Sequence, residues 1–191
     1  MDPELVLESL RAVEPWDDAD LAERLRVAEQ QADLLRDLFR VKTEAFPMDA
    51  IWRLPQLTIE RLPAHAHRPA VRHDDHRWII AIQGTQTQGQ EAAALLRAIK
   101  LIVDTPTFGA PDQRPRQAHM VAAHFAACVL MPTALLRRAL REGATIEAIA
   151  QRLNLDPGQI RHRLRERYFP LSLIPHQHQP ANAITQEGRP S

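Results

Sequence analysis

The residues of this chain best suited to chemistry are its histidines, its single cysteine and the arginines near its C-terminal end. Four histidines, His65, His67, His73 and His76, fall in the polar stretch Pro63–Arg77. Together they offer enough imidazole donors for a divalent metal, and a polar loop joining two strands accounts for them equally well. His119 and His124 lie five residues apart, about 140° around a helix axis, so one helix face does not hold both. Cys128 excludes an internal disulfide and, inside the apolar run Phe125–Met131, reads as a small buried hydrophobe. The stretch Glu91–Asp104 reads as an apolar helix interrupted by Arg97, Lys100 and Asp104. Lys100 and Asp104 have the i,i+4 spacing of an ion pair. The three read as a solvated stripe. Turned inward instead, Arg97 would present a guanidinium fork to a partner's carboxylate.

A second constellation closes the ordered part of the sequence. Ile149, Ala150, Leu153, Leu155, Ile160 and Leu164 follow the apolar pattern of a helix-turn-helix, with Asp156-Pro157-Gly158 at the turn. Asn154 stands where a left-handed residue is needed, and asparagine tolerates that backbone. The second helix then offers Gln159, Arg161, His162, Arg163, Arg165 and Arg167, residue types that contact phosphates and guanine edges. Exposed arginines are also good helix formers, so a packing or protein-facing role is the stronger expectation.

Composition bounds the answer. A chain of 191 residues holds one domain with a real core, with or without a small appendage. At 45% hydrophobic residues it is not a wholly disordered chain. Aromatics are only 5%, so leucine, alanine and isoleucine must build the core, and helix should dominate. Acids and bases balance overall, which leaves no whole-chain signature of a nucleic-acid partner. The balance hides an acidic segment, Met1–Thr43, and a basic one, Arg137–Arg167. No apolar stretch approaches the roughly 20 residues of a membrane span, and the acidic N-terminus lacks a signal-peptide pattern. A cytoplasmic protein without membrane attachment is expected.

Several elements should position these residues. Leu21, Leu25, Ala28, Ala32, Leu35 and Phe39 form a helical stripe over Ala19–Arg40. A short helix fits Phe46–Leu54. Leu57–Leu62 alternates like a strand, and Trp78–Ile82 is the best strand in the chain. Helices follow over Glu91–Asp104, Ala118–Leu130 and Thr133–Arg141, with a proline-rich loop, Thr105–Gln117, between the first two. The resulting organisation is an acidic helical segment over 1–45, a body over 46–143, the helix pair over 144–169 and a disordered tail over 170–191.

In that order the pieces resemble the ImmA/IrrE family of zinc metallopeptidases, a family of phage-immunity and radiation-response regulators. The resemblance runs from about Pro47 to Tyr168. It rests on Phe46-Pro-Met-Asp before a short helix and strand, on the strand WIIAI, on HFAACVLMP, and on IEAIAQRLNLDPGQIRHRL. The third is similar to the family's FAAxLLMP segment and is the most specific. The resemblance implies a zinc helix carrying HExxH, two histidines one turn apart with a glutamate to activate water. Here Arg97 and Leu101 fall at the two histidines and Ala98 at the glutamate; shifted by one residue, Leu96, Arg97 and Lys100 take those places. The family's third ligand falls on His119.

These readings lead to an α+β, mostly helical fold, with a small antiparallel sheet on a zincin-like helical core and a C-terminal helix-turn-helix-like pair. They point to a non-catalytic regulator, without cofactor, that binds a partner protein such as a repressor through the former peptidase cleft. DNA binding through 145–167 is the alternative. An active metallopeptidase with atypical ligands, drawn from His119 and the His65–His76 cluster, is a second.

Overall fold

The computed structural model describes residues 5–14, 19–42, 45–63, 71–74, 77–105 and 116–165. The long N-terminal helix, α2 (Leu21–Leu38), begins where Asp20 accepts a hydrogen bond from the Glu23 N–H at 2.8 Å, satisfying an otherwise orphan donor. Its stripe of Val27, Ala28, Ala32 and Leu35 is buried. Before it lies α1 (Val6–Arg11), inside the segment expected to be helical but with no bounds readable from the sequence. Six residues are too few for a readable period. Its Val6, Leu7 and Leu10 are buried, and Gln31 Nε2 donates to the carbonyls of Leu10 and Val13, closing the end of α1 onto α2. The acidic N-terminal segment therefore contributes to the same apolar core as the body.

After the short α3 (Met48–Trp52) come β1 (Leu57–Leu62), β2 (Val71–Asp74) and β3 (Arg77–Gln83). The sheet has the order β1-β3-β2. β1 runs parallel to β3, with Leu57 opposite Trp78, and β2 runs antiparallel to β3. The expected antiparallel sheet is thus mixed. The polar stretch Pro63–Arg77 also contains a strand. β2 is an edge strand whose Arg72, His73 and Asp74 are all exposed, so it carries no alternation to read. Central β3 buries Ile79, Ile80, Ala81 and Ile82 in succession, as a strand covered on both faces does.

The sheet leads into α4 (Gln88–Val103), which starts with a reciprocal capping box between Thr87 and Gln90. Leu95, Leu96, Ile99 and Ile102 are fully buried. Next to α4 lies α5 (Arg116–Leu130), packed between α4 and α2. Its alanines, Ala118, Ala122 and Ala126, let the helices approach closely, and Phe125 fills the centre with no exposed surface. Burying such a side chain contributes about 1.5–3 kcal/mol. α6 (Thr133–Arg141) follows the break at Pro132.

The last pair is α7 (Ile146–Leu153) and α8 (Pro157–Arg165). Thr145 caps α7, and Asn154 ends it at φ 55° and ψ 46°, the left-handed cap its residue type allows. Among the described residues, no single helix is long and apolar enough to cross a membrane.

Candidate functional site

The face of α4 expected to hold the metal pair carries Arg97, Lys100, Leu101 and Asp104. None of the nine histidines in the chain is followed by glutamate. Leu101 is buried in a small apolar cluster with Ala118 and Ala122 of α5. Ala98 lies in the core at 4% exposure. His119, the expected third ligand, is exposed, while its neighbour Ala118 meets Leu101. Leu101 thus makes this seam one of ordinary apolar packing.

Lys100 and Asp104 do not form a solvated stripe. They are 2% and 6% exposed, and Lys100 Nζ meets Asp104 Oδ1 at 2.5 Å. Such a pair must offset the desolvation of both charges. The second carboxylate oxygen of Asp104 has no partner among the described residues. Arg97 behaves differently. The residue is exposed as a whole, yet partial burial of its guanidinium lowers its pKa from the ordinary value. Its Nε donates to the Ala93 carbonyl at 3.2 Å, and the residue lines a groove.

That groove has a volume of about 370 Å³. Its floor is the alanine-rich segment of α5: Ala123, Ala126 and Ala127, with Leu130 and Met131 at one end. One wall is Gln90, Ala93 and Arg97 of α4, and the other is Gly158, Gln159 and His162 of α8. Small residues make the depression, because they remove side chains from the space where three helices meet. The rim is polar and the floor apolar, the usual constitution of a recognition site.

α8 owes its place to a tight junction with the start of α4. Thr87 Oγ1 donates to Asp156 Oδ2 at 2.6 Å, and Gln159 Nε2 donates to the Gly89 carbonyl at 3.1 Å. The absence of a side chain at Gly89 permits this approach: a Cβ would come within 2.5 Å of the movable Gln159 Oε1 and 3.2 Å of Leu155 Cα. These contacts redistribute the residues expected to face DNA. Gln159 is engaged with α4, and His162 borders the groove. Arg161 pairs with Glu147 at 2.6 Å. Arg163 is a correction to the DNA-facing set. It is 3% exposed, because its position on α8 turns inward, and its Nη2 donates to Cys128 Sγ and Thr133 Oγ1. Arg165 is exposed, and Arg167 lies outside the described residues.

Of the four-histidine cluster, His65, His67 and His76 lie outside the described residues, as does the tail over 170–191. His73, on the edge of β2, stacks edge-on against Trp78 with ring centroids 4.6 Å apart.

The structure assembles one group that the sequence conceals. Glu29 of α2 meets His124 and Cys128 of α5: His124 Nε2 is 2.9 Å from Glu29 Oε1 and 3.6 Å from Cys128 Sγ. The i,i+4 spacing of His124 and Cys128 is visible in the sequence. Glu29, 95 residues away, is not.

Residues 56–165 match the family model described as the IrrE N-terminal-like domain. No curated protein matches the chain in sequence. Among solved structures, a Mycobacterium tuberculosis transcriptional regulator superposes with a TM-score of 0.54 at 15% identity. The match covers 83% of this chain and 51% of the regulator, so the chain spans about half the length of that protein. At that identity the likeness is one of fold.

Proposed function

The chain belongs to the IrrE N-terminal-like domain family, and from that premise we propose that it is a non-catalytic regulatory protein. Its groove between α4, α5 and α8 holds a segment of a partner protein, such as a repressor or another transcription regulator. The observation that carries this reading is a contrast within one helix face. Positions suited to metal ligands hold Arg97 and Leu101, with Leu101 sealed against Ala118 and Ala122, while the adjoining groove stays open. An extended segment with small apolar side chains suits the alanine floor. A carboxylate on it suits Arg97, whose planar fork binds such groups bidentately.

Selection from a displayed peptide library tests the proposal. Wild-type protein should enrich sequences pairing an acid with small apolar residues. Arg97→Ala should weaken them by about tenfold or more, as loss of a charged hydrogen bond of roughly 1.5–3 kcal/mol implies. Chelator-sensitive cleavage of the selected peptides would count against the reading and favour the active-peptidase alternative.

The DNA-binding alternative draws on the turn at Asn154 and on the exposed Arg161 and Arg165. Packing of Gln159 and Arg163 against the body leaves it a sparse basic face. Duplex affinity that falls steeply with salt and drops in Arg161→Ala and Arg165→Ala would restore it.

A further inference from the structure

The face of α5 turned from the groove carries chemistry of another kind. His124 and Cys128 are buried side by side, and Glu29 of α2 reaches them with a side chain that is itself 51% exposed. The three candidate ligand atoms all lie within 4.8 Å of one another. Zinc bonds of about 2.0–2.1 Å to nitrogen and 2.3 Å to sulfur, at tetrahedral angles, place those two donors roughly 3.6 Å apart. That is the separation between His124 Nε2 and Cys128 Sγ. The carboxylate oxygen stands 2.9 Å from the imidazole, and a shift of a few tenths of an ångström opens it to the roughly 3.3 Å that a shared ion requires.

We propose that Glu29, His124 and Cys128 form a binding site for a zinc-class divalent ion that ties α2 to α5. Thiolate, imidazole and carboxylate are the donor types such an ion prefers. A cavity of about 140 Å³, lined by Glu29 and His124 with Ala22, Leu25 and Arg26, adjoins the cluster. It supplies an entry path and room for water as a fourth ligand. Arg163 Nη2, 3.2 Å from Cys128 Sγ, is placed to keep its hydrogen bond to the sulfur once that is a metal-bound thiolate, the outer support that metal ligands commonly receive. Two anionic ligands outweigh Arg163, and Arg26 of the adjoining cavity is paired with Glu23. The site lies away from the α4 positions at which the family resemblance puts zinc, and it is independent of what the groove holds.

Reduced, chelator-stripped full-length protein titrated with cobalt(II) and then zinc tests the site. The expected result is one equivalent of cobalt with a near-ultraviolet thiolate-to-cobalt absorption that zinc abolishes by displacement. Cys128→Ser should remove the absorption. Glu29→Gln, at an exposed side chain and therefore harmless to folding, should weaken binding about tenfold or more. His119→Gln should change nothing. Absence of the thiolate absorption in folded wild-type protein, or unchanged affinity in both Glu29→Gln and His124→Gln, would overturn the proposal.

Discussion

Lys100 and Asp104 concentrate the electrostatic cost of α4 in two side chains. Removing one partner leaves the other charge buried, so Lys100→Met should cost on the order of 3–5 kcal/mol, while the double replacement Lys100→Met with Asp104→Leu, which removes both charges, should cost less. Urea unfolding of both variants checks the order. On α2, Asp33 lies between Glu29 and Asp37 at four-residue spacings. Desolvation, then the charges of Asp37 and Glu29, raise its carboxyl pKa, with Arg36 offsetting in part. A carboxyl raised in the fold binds its proton more readily folded than unfolded. Its contribution to stability therefore falls as pH rises through the carboxylate range and recovers on acidification. Asp33→Asn should accordingly raise the melting temperature at neutral pH, and the gain should vanish below the carboxylate range; a gain that persists in acid would contradict this cause. At this scale the sequence is legible in spacing and silent on burial. It pairs Lys100 with Asp104 and sets His124 one turn from Cys128. What lies against each pair is decided by helices distant in the chain.

Elements built on periodicity or capping are the legible ones. α2, α4 and α6 emerge within a few residues of their observed bounds because each has an apolar stripe and recognisable end residues. α1 and β2 do not, being a six-residue helix and an exposed edge strand. The parallel pairing of β1 with β3 depends on β2 intervening, so it too escapes a local reading. The junction of α4 with the α7–α8 turn is likewise tertiary, and Gly89 is its hinge-point. Gly89→Ala should destabilise the protein by about 1–3 kcal/mol, as overpacking of a close contact does. Hydrogen exchange should show α7 and α8 losing protection before α4 and α5. Uniform loss, or none, would mean that the close approach matters less than its distances indicate.

Across the whole molecule, α5 is the shared wall: one face floors the groove and another carries His124 and Cys128 to α2. The family match begins at residue 56, yet α1 and α2 before it supply part of the common core. The same architecture explains why introducing the HExxH letters should not create a metal site on α4. With Arg97→His also in place, Leu101→His puts an imidazole against Ala118 and Ala122, Ala98→Glu puts a carboxylate into the core, and Asp104, the carboxylate on that face, is held by Lys100. Metal titration of this triple variant should show no binding beyond that of the parent, whereas an additional stoichiometric site would show that the α4 face remains a zinc scaffold. The partner-holding groove is tested most directly by a photoreactive amino acid at Ala123, on the groove floor, with Arg72 on the β2 edge as control, in the protein's native cells. The expected result is a discrete crosslinked protein from Ala123 alone, lost when Arg97→Glu is introduced. The same products from both positions, or a crosslink indifferent to Arg97→Glu, would contradict a partner held in this groove.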